Sequence, residues 1–235
     1  MIAHHESRLG SDMVYIYVDQ SNLPIQVHRS IILQSSDFFN NALNGAFKES
    51  SGALFPWPWP ATLLLLVLML SVGIVQLLDQ KRDLVEIYVE WLYFGIINPT
   101  EIDPDAGISR FTQLYELYTM ADLLQDQEFA NAIMDTLIEE TEALKMWPTG
   151  LAAAAWTDLP ESSLMRKYIK DVWVALSYSA WFDMISKDVA DAPKEFWVEV
   201  AKSHTMIREK TEKVLKPSWA NRCRYHVHKD GKQCS

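Results

Sequence analysis

The chain has 235 residues, with ten prolines and only eight glycines, and 49% of its residues are hydrophobic against 22% charged; that is room for one large domain or a smaller one with an appendage. Nine each of tryptophan, tyrosine and phenylalanine demand a packed core and exclude a collagen, a coiled-coil rod or a disordered chain. The formal charge of −10 is unevenly spread: residues 202–235 carry nine Lys or Arg against three Asp or Glu, so the last 34 residues are at +6 and the body at −16, the wrong sign for binding phosphate.

Residues 1–11 contain no apolar run, so a disordered N-terminus without a secretory signal is expected. Val14 to Val18 are β-branched or aromatic, Leu23 to Val27 alternate, and Asp19-Gln20-Ser21-Asn22 lie between them, which predicts a β-hairpin. Ser30 is expected to cap a short helix through Leu33. Ser35 or Ser36 caps a second, with Phe38, Phe39, Ala42 and Leu43 on one face and Asn44-Gly45 as its stop.

Further on, Asp79 opens a helix whose Leu84, Ile87, Tyr88, Trp91 and Leu92 form an inward stripe, ended by Gly95 and Asn98-Pro99. Helices are predicted over 109–124, with Phe111, Leu114, Tyr118 and Ala121 inward, and over 127–144, with Phe129, Ile133 and Leu137 inward. After the break at Pro148-Thr149-Gly150 come helices near 151–156, 163–177, 193–203 and 206–215, the last stopped by Pro217. Residues 217–235 have no apolar period and read as a basic tail.

Between the first helices and the stripe of Trp91, residues 50–78 carry no charge, and 61–78 form an eighteen-residue apolar run, long enough to be read as a membrane span.

Val27-His28-Arg29 after Ile25, Ser36 with Phe38-Phe39, and Phe47-Lys48-Glu49-Ser50, in that order and spacing, resemble the front of a BTB/POZ domain. Trp91-Leu92-Tyr93-Phe94-Gly95 resembles the family's WLYTG signature, with Phe94 where threonine is more usual, and the helix carrying Tyr118 and Met120-Ala121-Asp122 looks like the one that follows it. The similarity covers about residues 12–145. Residues 151–203 look like the helical companion of fungal-type members, through the stretch from Pro160 to Arg166.

The resemblance implies an α+β chain: a BTB/POZ fold, a short mixed sheet flanked by helices, followed by an all-α extension. The expected organisation is a disordered 1–11, a BTB/POZ domain over 12–145 with an apolar insertion at about 53–72, a helical extension over 146–216 and a Cys/His tail over 217–235. It implies a non-enzymatic protein–protein interaction module, either a homo- or heterodimer or an adaptor for a cullin-type ubiquitin ligase. Val27, His28, Ser36, Phe38, Phe39, Phe47, Trp91, Leu92, Tyr93 and Gly95 are then signature and core residues, and Val14, Ile16, Val18, Ile31 and Ile32 a dimer surface. No catalytic residue, cofactor or small-molecule substrate is expected, since no nucleophile elbow, zinc-protease motif, phosphate loop or dinucleotide fingerprint occurs. His28, beside Arg29 and near Asp37, reads as a core histidine with local hydrogen bonds. Two cysteines make no disulfide framework, which places the chain in the cytoplasm or nucleus.

In such a domain a short strand follows Phe47-Lys48-Glu49-Ser50 closely. Residues 73–79 supply that strand and its exit, leaving 53–72 over. Three readings of the excess stand side by side. A span over 61–78 makes a single-pass membrane protein but separates two halves that should share one core. A hydrophobic excursion makes a partner surface, its Pro56, Pro58 and Pro60 forbidding helix. A short intron translated in frame explains the abrupt, charge-free Leu/Pro/Trp composition.

The tail brings Cys223, His226, His228 and Cys234 within twelve residues. Two thiolates and two imidazoles are a tetrahedral zinc set, and in an extended segment His226 and His228 project to the same side. The spacing is not that of a common zinc finger, and a solvated basic tail is the plainer alternative. The Cys-x-Tyr-His-x-His ending looks like that of other fungal-type members. Arg208, Lys210, Lys213, Lys216, Arg222 and Arg224, interleaved with Glu209 and Glu212, read as a solvated helix face; a nuclear factor holding nucleic acid by this tail is the alternative, although the acidic body disfavours it.

Overall fold

Val14, Ile16 and Val18 alternate with Met13, Tyr15 and Tyr17, and a period of two sends the β-branched set to one face. In β1 (Met13–Val18) those three are fully buried and the alternate residues half-buried. The structure is a computed structural model and describes residues 12–18, 23–44, 73–99, 110–183, 192–211, 213–228 and 234. The expected disordered N-terminus, Phe47 and the surplus at 53–72 lie outside the described residues.

β2 (Ile25–His28) pairs antiparallel with β1, setting Val14 opposite Val27 and Ile16 opposite Ile25. β3 (Ile74–Leu77) pairs parallel on the other edge of β1, with Tyr15 opposite Ile74 and Val18 opposite Leu77, so the order is β2-β1-β3. Ile25, Val27, Val75 and Leu77 join the buried face. Gly73 leads into β3 at φ 78°, its carbonyl accepts the Tyr15 N–H at 2.8 Å, and a Cβ there would sit 3.0 Å from the Met13 carbonyl oxygen. Only glycine fits.

The chain is thus mixed α+β and mostly helical, around a small three-stranded mixed sheet. α1 (Arg29–Ser35) starts directly from β2 with no side-chain cap, one residue before the expected Ser30 cap. α2 (Asp37–Asn44) is capped by Ser36, whose Oγ accepts the Phe39 N–H at 3.2 Å and donates to the Leu124 carbonyl at 2.6 Å. α3 (Arg82–Phe94) begins three residues later than Asp79, because Gln80 N–H closes a turn on the Leu77 carbonyl. It ends as expected at Gly95, at φ 68°, whose N–H reaches the Trp91 carbonyl at 2.8 Å. Leu84, Ile87 and Tyr88 are buried, Trp91 and Leu92 half-buried.

α4 (Arg110–Leu123) and α5 (Gln127–Leu144) match their predicted ranges, with every predicted inward residue buried. Contacts divide the chain into two units, 1–98 with 120–129 and 99–119 with 130–235, so each of these helices contributes to both. In the first unit Asp126 is 1% exposed and accepts from the Ser35 hydroxyl, the Tyr88 hydroxyl at 3.0 Å and the Phe129 N–H at 2.9 Å.

The second unit adds α6 (Ala152–Asp158), α7 (Leu164–Leu176), α8 (Ser179–Asp183) and α9 (Lys194–Arg208). Ser163 caps α7, and buried Arg166 lies 4.5 Å over the Trp156 ring while donating to the Leu159 carbonyl at 3.1 Å. Trp173 is the hub of an aromatic cluster with Trp181, Phe182, Phe196 and Trp197, its ring centroid 5.3–5.9 Å from theirs.

Two expectations are corrected here. The separate helix at 206–215 is absent: Ser203-His204-Thr205 contains no breaker, so α9 runs through to Arg208 and stops where Lys210 adopts φ 60°. Nor is the chain after Pro217 a free tail. Trp219–Tyr225 forms 3₁₀ turns, kinked at Asn221, and Tyr225 is fully buried. One large aromatic in a polar run has no period to reveal it.

Among the described residues no helix is long and apolar enough to cross a membrane. β3 also takes 74–77 out of the apolar run, and residues 61–72 lie outside the described residues.

Burial and neighbouring carboxylates raise four phenols. Desolvation pushes Tyr168 up to about 12. Desolvation with Asp126 raises Tyr88, with Asp158 Tyr115 and with Asp171 Tyr225. Below pH 10 these groups are neutral folded or unfolded; above it the unfolded chain ionises first, so stability falls as pH rises from about 10, through about 12 for Tyr168. Tyrosinate absorbance during a base titration should show Tyr88, Tyr115, Tyr168 and Tyr225 silent at about pH 10, as their Phe variants identify. These four ionising near pH 10, with circular dichroism unchanged, would refute the burial.

Candidate metal centre

The segment after α9 is held by polar side chains of two helices. On α5, Asn131 clasps Val227 at both backbone groups, Nδ2 donating to the carbonyl and Oδ1 accepting the N–H, each at 2.8 Å. Three turns along, Glu142 accepts the Trp219 N–H at 3.1 Å. On α7, buried Asp171 accepts from Arg224 Nε at 2.9 Å and the Tyr225 hydroxyl at 3.1 Å, while Lys167 donates to the Arg224 carbonyl at 3.0 Å. Tyr225 meets Tyr168 edge to face, centroids 5.1 Å apart.

Fastened in this way, the segment brings three of the four predicted ligands together, with His226 beside one of them. One ligand atom each from Cys223, His228 and Cys234 lies within 4.8 Å of the others. His228 Nε2 is 3.8 Å from Cys234 Sγ, and the Cys234 N–H donates to Cys223 Sγ at 3.2 Å. His226 Nδ1 approaches Cys234 Sγ to 3.0 Å. Its Nε2 faces Asp135 Oδ1 at 2.9 Å, yet the two atoms are buried without an aligned hydrogen bond. Desolvation, and then the neighbouring Cys223, hold the Cys234 thiol above its ordinary range.

Sequence reasoning named the four ligand candidates but missed Asn131, Asp135 and Asp171. Asn131 and Asp135, at i and i+4, carry no signal beyond that of a solvated helix face. Two of the six basic residues are occupied: Arg222 stacks 3.8 Å over Trp219 with Nε 3.7 Å from Asp135, and Arg224 pairs with Asp171. That removes two cations from the nucleic-acid alternative.

The described residues of the expected signature gather in the first unit. Tyr93 Oη accepts the His28 backbone N–H at 3.0 Å and lies 2.5 Å from its Nδ1, joining residues from either side of the charge-free stretch. Val27 and Phe39 are buried, Phe38 meets Phe39 at 5.2 Å, and Trp91 packs on Phe129 at 4.8 Å. Leu92 is half-buried beside them in sequence. Of the five residues assigned to a dimer surface, Val14, Ile16, Val18 and Ile32 are buried in the chain's own core, and Ile31 alone is partly open. The exposed apolar residues are elsewhere and scattered; in this unit they include Leu23 at 72% and Leu78 at 56%, and the adjacent pair Phe94 at 73% and Ile96 at 57% either side of Gly95. No family model matches the chain, and no curated protein matches it.

Proposed function

We propose that the chain is a BTB/POZ-type module that works by binding proteins, through self-association or as an adaptor for a cullin-type ubiquitin ligase. The observation that carries this reading is the order of the first unit. A β1-β2 hairpin is followed by α1 and α2, then by β3 returning parallel to β1, then by α3 bearing Trp91-Leu92-Tyr93. The His28–Tyr93 bond, between two signature residues 65 positions apart, supports the same reading.

Phe94 and Ile96 are the surface this reading points to. They flank the Gly95 cap, and side chains so exposed add little to the fold, whereas a buried aromatic anchor is what interfaces favour. Replacing both with threonine is expected to leave the unfolding curve unchanged and to weaken self-association or cullin capture at least about tenfold, the loss of about 1.4 kcal/mol of contact energy. Sedimentation and pull-down with the full chain read both. Association unchanged by Phe94→Thr/Ile96→Thr would move the surface elsewhere.

A further inference from the structure

The four donors at the chain's end are softer and more numerous than a tail clasp requires, and their geometry has a chemical meaning of its own. With Zn–S near 2.3 Å and Zn–N near 2.05 Å, a tetrahedral ion sets sulfur–nitrogen distances at about 3.5 Å and sulfur–sulfur at about 3.8 Å. Cys223, His228 and Cys234 are already gathered at that scale, with 3.8 Å between His228 Nε2 and Cys234 Sγ. The fourth corner is His226 Nδ1. It touches the Cys234 sulfur at 3.0 Å but stands outside the group of three, so as an ion enters this contact opens by about half an ångström and the ring moves toward Cys223 and His228.

His226 carries a second, independent indication. Its side chain is only 5% exposed, and Nε2 faces a carboxylate at 2.9 Å without making an aligned bond. A histidine that binds metal through one nitrogen characteristically presents the other to a carboxylate, which fixes the ring and strengthens it as a ligand. Asp135 of α5 stands where that carboxylate belongs. The Cys234 N–H on Cys223 Sγ at 3.2 Å gives a thiolate a backbone donor.

We propose that Cys223, His226, His228 and Cys234 bind one zinc ion through two thiolates and two imidazoles, with Asp135 of α5 orienting His226 from behind. The donor set selects the metal: two soft sulfurs and two imidazoles in a closed four-coordinate shell suit Zn²⁺ and leave no open position for a reacting water. The ion closes residues 223–234 on themselves and, through His226 and Asp135, on α5. It is a structural centre, and it does not depend on the BTB/POZ reading.

The test uses the untagged full chain, purified reduced. Elemental analysis should find one zinc per chain after gel filtration, and cobalt in its place should give the intense visible bands of a four-coordinate thiolate–imidazole site. Zinc should protect both cysteines from alkylation, and a chelator should restore it; this reading needs no variant. Cys223→Ser and Cys234→Ser should lose the ion, and Asp135→Asn should weaken it about 10–100-fold while keeping the cobalt spectrum. Reduced wild-type chain that takes up no stoichiometric zinc, with both thiols equally open to alkylation with and without the metal, overturns the proposal. So does metal content identical in the wild type and the Cys223→Ser/Cys234→Ser pair.

Discussion

Tyr225→Ala is expected to lower the free energy of unfolding by about 3–5 kcal/mol, the range for removing a fully buried aromatic side chain. Tyr225 has zero exposure, meets Tyr168 edge to face and donates its hydroxyl to Asp171. Truncation leaves a ring-sized hole between α7 and the terminal segment and takes one of two donors from a buried carboxylate. Tyr225→Phe keeps the ring and gives up the one hydrogen bond; with Arg224 still on Asp171 at 2.9 Å, its cost is about 1 kcal/mol. Six of the nine tryptophans, from Trp147 to Trp219, lie in the second unit, so tryptophan fluorescence in urea reports this change directly. A free basic tail predicts no effect from either substitution, and an Ala variant as stable as the wild type would restore that picture.

The second large effect is expected at Asp126, in the first unit. Asp126→Ala strands three donors at once, the Ser35 and Tyr88 hydroxyls and the Phe129 N–H, of which Tyr88 is fully buried. The bond from the Phe129 N–H is the side-chain cap of α5, worth about 1 kcal/mol by itself. The sum is about 3–5 kcal/mol, because a buried donor without an acceptor loses its whole desolvation cost. Asp126→Asn keeps one acceptor oxygen and should fall between. Far-UV circular dichroism against urea measures all three, and a loss below about 1 kcal/mol for the alanine variant would show that the network contributes little.

Asp126 and Tyr225 mark where reading the sequence stops. The strands and most of the helices were legible because their burial is periodic: Val14, Ile16 and Val18 at two residues, Leu84, Ile87 and Tyr88 at helical spacing. The Ser36 cap and Gly95 stop were legible from local chemistry. Asp126 was not, since one carboxylate in a helix–helix turn looks like any other until Ser35 and Tyr88 arrive from 91 and 38 residues away. Tyr225 was missed because a single anchor has no period. The four Cys/His candidates were found from composition, while Asp135 became visible only once His226 was placed against α5.

The same limits bear on the charge-free stretch. Composition made 61–78 one object, but the structure splits it: 74–77 is a strand hydrogen-bonded to β1, and Gly73 is fitted to Met13 and Tyr15. The sheet therefore takes up the chain again at Gly73, next to the boundary at which residues 53–72 become surplus. An in-frame intron and an inserted partner surface both keep the hairpin and α3 in one core, as the His28–Tyr93 bond requires. A span does not.

The central claim is that the folded body, and not the apolar stretch, carries association with other proteins. Light scattering on the full chain and on a chain lacking residues 53–72 tests it most directly, at up to about 0.1 mM, where any dimer tighter than about −5.5 kcal/mol is populated. The account predicts that both chains fold and that the shortened one still forms a defined dimer or captures a cullin. A shortened chain that stays folded and monomeric at that concentration, and captures no cullin, would contradict it.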